Sequence, residues 1–131
     1  MIAIDSSALV AIALREAEAD QFLATIAVSK CWVVAPTLLE VHIVLSKLTP
    51  GQSTTFIETF ESKYNIKVIA FDKPLASIAR TAFDRFGKGR HAARLNFGDC
   101  MSYALAKSRD LPLLYKGGDF ALTDIRPAYR A

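Results

Sequence analysis

Ile2-Ala3-Ile4-Asp5-Ser6-Ser7-Ala8-Leu9 opens the chain, and its reading decides the fold. Three apolar residues end on a carboxylate, and short hydroxyl side chains follow that can accept a bond from an orphan helix N–H. The pattern predicts a buried strand over 2–4 passing directly into a helix, capped by Ser6 or Ser7, over 6–14. The alternation then repeats. A second helix is expected over 17–28, a β-branched and aromatic strand over 31–35, and a helix opened by Pro36 and Thr37 over 36–48. That helix carries Leu38, Val41, Leu45 and Leu48 on one stripe. Thr49-Pro50-Gly51 breaks the chain. Beyond it come a helix over 53–64, a strand over 67–71, a helix over 73–86 and a loop over 87–91. An Ala-rich helix over 99–108, dense enough in apolar residues to be buried on several sides, leads to a strand over 112–115. Gly117-Gly118 then turn the chain before Asp119-Phe120. Strands alternating with helices specify an α/β sandwich around a parallel sheet.

With 131 residues and neither a repeat nor a linker, the sequence reads as one domain spanning 1–131. A hydrophobic fraction of 52% against 22% charged residues describes a globular protein with a generous interior. No stretch approaches the ~20 unbroken apolar residues of a membrane span. Met1-Ile2-Ala3-Ile4-Asp5 lacks the basic leader of a secretory signal. Cys31 and Cys100 both lie in apolar surroundings and read as buried hydrophobes in a reducing compartment, so the expected location is cytoplasmic. The net charge of +3 is unevenly spread. Between Lys73 and Arg94 stand six cations and one anion, Asp84, which leaves the remainder slightly acidic. A basic segment on an acidic body suits a polyanionic partner, and a solvated helix face followed by a loop explains it equally well.

The chemistry is carried by Asp5, Glu40, Asp99 and Asp119, each placed where a strand ends or a helix begins. A parallel sheet gathers the carboxyl ends of its strands at one edge, so these acids are expected to converge there. Each has a duller explanation alone. Asp5 is a helix cap, Thr37-Leu38-Leu39-Glu40 fits a capping box, and Asp99 in a first helical turn complements the macrodipole. Together they are harder to dismiss, because two unit charges ~4 Å apart repel by ~4 kcal/mol at an effective dielectric near 20. Such a cluster must protonate or hold a cation, and an oxygen-only site favours Mg²⁺ or Mn²⁺ over Zn²⁺. With the family resemblance set out below, the chemistry implied for this site is metal-assisted hydrolysis of RNA phosphodiester bonds. Lys88, Arg90 and Arg94 would track the RNA backbone, with His91 as a further phosphate contact and His42 structural. Ser7 would support Asp5 by a hydrogen bond.

These residues resemble a family. Asp5-Ser6-Ser7-Ala8-Leu9, Glu40 in Thr-Leu-Leu-Glu, Gly87-Lys88-Gly89-Arg90-His91, Leu95-Asn96-Phe97-Gly98-Asp99-Cys100, Leu113 to Phe120 and Thr123-Asp124-Ile125 look like a PIN-domain toxin of the VapC type, over essentially the whole chain. The resemblance implies a three-layer α/β/α sandwich with a central, mainly parallel sheet of four to five strands. It also implies a Mg²⁺-dependent endoribonuclease, the toxin of a toxin–antitoxin pair, neutralised by a cognate antitoxin that inserts a basic residue among the carboxylates. The family's first three acids match Asp5, Glu40 and Asp99. Where relatives carry an acid or amide before Asp-Phe, this chain has Gly117-Gly118, so Asp119 is the fourth candidate and Asp124 its substitute. Leu9, Ile12, Ala13, Phe22, Leu23 and Ile26 exceed what one sheet face needs and would line a homodimer or antitoxin groove, with core packing the default.

Two rival functions remain. A non-catalytic RNA- or protein-binding module on this fold draws support from the missing acid near Gly118. A phosphatase using Asp5 as nucleophile would want a second acid at the position of Ser7. Gly87-Lys88-Gly89 belongs to no nucleotide-binding motif.

Overall fold

The computed structural model describes residues 1–130. Four strands, β1 (Ile2–Ile4), β2 (Cys31–Val34), β3 (Ile66–Ile69) and β4 (Leu113–Leu114), form one sheet in the order β3-β2-β1-β4, every neighbouring pair parallel. Six helices connect them: α1 (Ser6–Ala13), α2 (Ala19–Ala27), α3 (Ala35–Leu48), α4 (Ser53–Lys63), α5 (Lys73–Phe86) and α6 (Phe97–Arg109). A 3₁₀ turn, Phe120–Leu122, follows β4.

The two-residue period of the strands builds the layers. Ile2 and Ile4 of β1, Cys31 of β2 and Leu114 of β4 enter one core, with Leu9 and Ile12 of α1, Phe22 and Ile26 of α2, Val41 and Leu45 of α3 and Phe60 of α4. Ala3, Val34 and Leu113 face the opposite core, built on Leu75, Ala82 and Phe86 of α5 and on α6. Two cores on opposite sheet faces give the three-layer α/β/α sandwich. Helix α6 is the central packing element, with Cys100 to Ala106 continuously buried. Strand β3 is the exposed edge. Its Lys67 ammonium lies 4.9 Å from the Trp32 ring centroid, which Arg109 approaches from 4.3 Å.

Several boundaries differ from the sequence reading for local reasons. Asp5, rather than Ser6 or Ser7, is the N-cap of α1, accepting from the Ser7 N–H. Helix α3 begins at Ala35, directly from β2, so Thr37 and Glu40 are interior and form no capping box; Val34 is the N-cap, with no side-chain cap bond. Helix α6 starts at Phe97, two residues earlier than expected, because Asn96 supplies the cap. Leu48 leaves the apolar stripe of α3 and is exposed. The early helices follow the default expectation. Leu9, Ile12, Phe22 and Ile26 are buried in the core, and Ala13 and Leu23 pack half-buried against it.

Leu9 is 1% exposed. Leu9→Ala is therefore expected to destabilise the isolated chain by ~2–5 kcal/mol in denaturant unfolding. A residue of an interface groove would give little loss in the monomer.

Candidate active site

Asp5 sits at the carboxyl end of β1, between strands that send their chains to opposite faces of the sheet. Its backbone N–H donates to the Leu114 carbonyl of β4 at 2.9 Å, fixing it to the sheet edge. The side chain is 1% exposed. One carboxylate oxygen, Oδ2, accepts from both the Ser7 N–H (3.0 Å) and the Ser7 hydroxyl (2.6 Å), while Oδ1 accepts from the Ser102 hydroxyl at 2.6 Å. The support role expected of Ser7 is thus present alongside capping. Ser102, on α6 and itself buried, was not legible as a site residue. The one trace of it in the sequence is a lone hydroxyl three residues after Asp99, on the same helix face.

Asp99 is held by its own helix terminus. The Asn96 side chain accepts from the Asp99 N–H at 2.9 Å, and Asp99 Oδ2 accepts from the Asn96 N–H at 3.0 Å. The capping box of this chain lies here rather than at Glu40. Burial pushes the Asp99 carboxyl up to about 6; the Asn96 backbone bond opposes the rise, and the charges of Asp5, Asp119 and Glu40 add to it. The other three predicted acids are therefore near enough to act on the Asp99 carboxyl.

Glu40, freed from capping, leans over the start of α6. A Cβ added to Gly98 would stand 2.6 Å from Glu40 Oε1 and closer still to Oε2, so any side chain there would push the Glu40 carboxylate aside. Glu40 Oε1 is buried without a hydrogen-bond partner. Burial raises the Glu40 carboxyl, the Ser6 hydroxyl pulls it back, and the charge of Asp5 adds to the rise. Asp119 is exposed on the turn after β4. Asp124 stands elsewhere: it accepts from the Tyr103 hydroxyl and from Lys107 Nζ, both at 2.7 Å, with Arg85 at 3.7 Å. Burial works to raise its carboxyl, but Lys107 and Tyr103 outweigh it and hold it low. Of the two candidates for the fourth acid, the charge of Asp119 acts on the Asp99 carboxyl, whereas Asp124 is tied to Lys107, Tyr103 and Arg85. Among the described residues the acids make no ready-formed metal cage; they share an opening without closing on a point.

Lys88, Arg90 and Arg94 are exposed on the loop that runs from α5 into Asn96 and Asp99. Its base is pinned by Lys88 N–H to the Leu95 carbonyl (3.0 Å) and Leu95 N–H to the Phe86 carbonyl (2.9 Å). His91 Nδ1 accepts from the Ala93 N–H, and its ring meets Phe86 edge-on. His42 pairs with the Ser53 hydroxyl across α3 and α4 at 2.6 Å, the structural role expected of it.

This arrangement of a parallel sheet, acids at its carboxyl edge and a buried central helix is that of a PIN domain, and the family described as PIN domain matches residues 2–125. A protein named Ribonuclease VapC from Mycolicibacterium smegmatis is 39% identical over 123 residues, covering 93% of this chain and 95% of that protein. Ribonuclease VapC36 of Mycobacterium tuberculosis is 44% identical over 91 residues, covering 70% of this chain and 66% of its own length. The chain belongs to the PIN-domain family, within its VapC branch. Solved structures share the fold. Mycobacterium tuberculosis VapC20, described as a sarcin-ricin loop cleaving toxin, superposes with a TM-score of 0.74 at 16% identity, over 97% of this chain and all of that one. A toxin–antitoxin complex from Klebsiella pneumoniae gives 0.72 at 18% identity, with complete coverage of both chains.

The raised Asp99 carboxyl makes a pH prediction. A folded-state value of about 6 against an ordinary 3.8 means the native state is favoured while Asp99 is protonated. Its contribution is fully present below about 4 and is lost as pH rises through about 6. In EDTA, Asp99→Asn, which keeps an acceptor for the Asn96 N–H, should be more stable than the unaltered chain at pH 7.5. The advantage should vanish by about pH 4 in thermal unfolding.

Proposed function

We propose that the chain is a metal-dependent endoribonuclease, the toxin of a toxin–antitoxin pair. The observation that carries the proposal is the buried Asp5 carboxylate at the carboxyl end of β1 with Asp99 near it, whose carboxyl burial raises and the charges of Asp5, Asp119 and Glu40 raise further. The residues suit a hard divalent cation, Mg²⁺ or equally Mn²⁺. Every donor is an oxygen, one buried Glu40 oxygen has no partner, and the crowded negative charge calls for a counter-ion. Asp5, Glu40, Asp99 and Asp119 would hold it. When bound, the ion supplies positive charge toward a non-bridging phosphate oxygen and acidifies a water for attack. Ser7 and Ser102 keep Asp5 oriented, Asn96 keeps Asp99 oriented, and Gly98 leaves room for Glu40. The Lys88, Arg90 and Arg94 loop draws the RNA backbone toward the acids without reading its sequence.

Partners follow the same reading. The solved neighbours from Salmonella typhimurium and Rickettsia felis are VapBC assemblies bound to DNA, which supports a cognate antitoxin for this chain. A homodimer would use the apolar face beside the acids. Phe97 is 83% exposed and Leu39 59%, and together with the exposed Ile43 they flank a cavity between α3 and the start of α6 that Glu40 and Gly98 also line. Association of two copies there would cover the apolar surface and set the two acidic openings side by side. The alternative, a non-catalytic RNA- or protein-binding module, is favoured by the open carboxylate arrangement and by glycine at position 118.

RNA cleavage should be abolished by EDTA and restored by Mg²⁺, and should fall by about two orders of magnitude or more in Asp5→Asn and Asp99→Asn. Calorimetry showing no Mg²⁺ binding that is lost in Asp99→Asn would support the non-catalytic module instead. Charge reversal of Lys88, Arg90 and Arg94 together should weaken RNA binding and flatten its salt dependence; unchanged cleavage removes the loop from the RNA path. Phe97→Asp should convert a dimer to a monomer in analytical ultracentrifugation while leaving the thermal transition of the protomer in place.

A further inference from the structure

Beside the carboxylates lies a second cavity of about 480 Å³ that the proposed chemistry does not use. Its walls are Phe22 of α2, Tyr115 at the end of β4, and Ile125, Pro127 and Tyr129 of the C-terminal segment. The walls are built rather than loose. Leu113 N–H donates to the Arg126 carbonyl and Ala128 N–H to the Leu113 carbonyl, both at 2.9 Å, so the segment runs as an added strand-like edge against β4. Tyr129 is held edge-on by Phe22, with ring centroids 5.7 Å apart, and Tyr115 is braced by Phe120 at 5.2 Å.

The charged residues of the cavity are not equivalent. Lys116 Nζ is committed to Glu16 at 2.8 Å and to Glu18, itself a lining residue, at 3.3 Å. Arg130 also lines the cavity and has no carboxylate partner among the described residues. Two braced aromatic rings with one uncommitted cation match a nucleotide: a flat ring carrying a single attached negative charge. The cavity also adjoins the acids. Lys116 N–H donates to the Ser7 hydroxyl at 3.0 Å, and that hydroxyl donates to Asp5. Gly117-Gly118 then lead from the cavity to Asp119.

We propose that this cavity is a subsite for one unpaired nucleobase of the RNA, flanking the phosphate to be cut, with Tyr129 and Tyr115 as stacking surfaces and Arg130 on the adjoining phosphate. The assignment rests on the ribonuclease reading above. It makes the subsite selective for unpaired RNA, because a base can enter only after leaving its stack.

The test uses the active full-length chain and a short single-stranded RNA whose cut position has been mapped, together with versions carrying one abasic nucleotide at each position in turn. The unaltered chain should lose about tenfold or more in kcat/KM when the abasic nucleotide falls at one position beside the cut. Tyr129→Ala should lose a similar factor on the intact RNA and show no further penalty at that position, whereas Tyr129→Phe keeps the ring and should behave as the unaltered chain. Arg130→Gln, at an exposed position, should raise KM several-fold with kcat unchanged, and it decides the matter alone if Tyr129→Ala does not fold. A folded Tyr129→Ala chain with the full abasic penalty still in place overturns the subsite and leaves the nuclease standing. So does a variant that cuts RNA normally but resists its antitoxin less or more, which would make the cavity a protein-docking site. If the unaltered chain cuts no RNA with Mg²⁺ present, the ribonuclease reading falls and takes the subsite with it.

Discussion

A single buried carboxylate joins the parts of this fold that matter for function. Asp5 is tied through its backbone to β4, through one oxygen to the first turn of α1 and through the other to α6. Those ties draw together residues 5, 7, 102 and 114. A buried carboxylate is costly unless its acceptor sites are filled, and here three donors fill them. The same donors fix where the remaining charge of Asp5 faces. Positioning of the acidic opening is therefore a by-product of satisfying one group that the fold had to bury.

What the sequence revealed and what it hid divide along the range of the interactions. Strand positions were readable because burial on both faces leaves short continuous apolar runs, as in Ile2-Ala3-Ile4 and Leu113-Leu114. The nearness of Asp5 and Asp99 was readable because parallel topology gathers strand ends at one edge. The capping-box alternative weighed for Glu40 fails because the motif counts from a helix start that only the preceding strand sets. With α3 starting at Ala35, Thr37 turns inward and is fully buried, and Glu40 is left to the opening. Ser102 was hidden inside an apolar helix, where a hydroxyl ordinarily bonds back to its own backbone. The exposed apolar face was hidden for another reason. Leu39 and Ile43 lie one helical turn apart, but Phe97 is far away in sequence, so no periodicity links them, whereas the apolar surplus of α1 and α2 is the core its periodicity gave by default.

The distribution of charge follows from the same construction. The basic loop ends where α6 begins, and the first turn of α6 carries Asp99, so cations and carboxylates are neighbours through the chain itself. They do not neutralise each other by direct pairing: among the described residues no salt bridge joins Lys88, Arg90 or Arg94 to an acid. Asp124, by contrast, is surrounded by Lys107, Tyr103 and Arg85 and is spent on holding the C-terminal segment to α5 and α6. Two aspartates five residues apart thus do opposite work, one braced by cations and one left facing other anions.

That contrast bears on how an acidic opening could act on a polyanion. Phosphate would be repelled by Asp5, Glu40, Asp99 and Asp119 as they stand, and at ~4 kcal/mol for each close pair of unit charges the repulsion is large beside the attraction of a few exposed, salt-screened cations. In the proposed nuclease the basic loop therefore recruits RNA but cannot seat it. Seating requires the acids to be neutralised first, and protonation of Asp99 near pH 6 would remove that ligand along with its share of the repulsion. A divalent cation removes the repulsion while keeping the oxygens in place. Ordered binding, ion before phosphate, is then a consequence of the electrostatics of the opening.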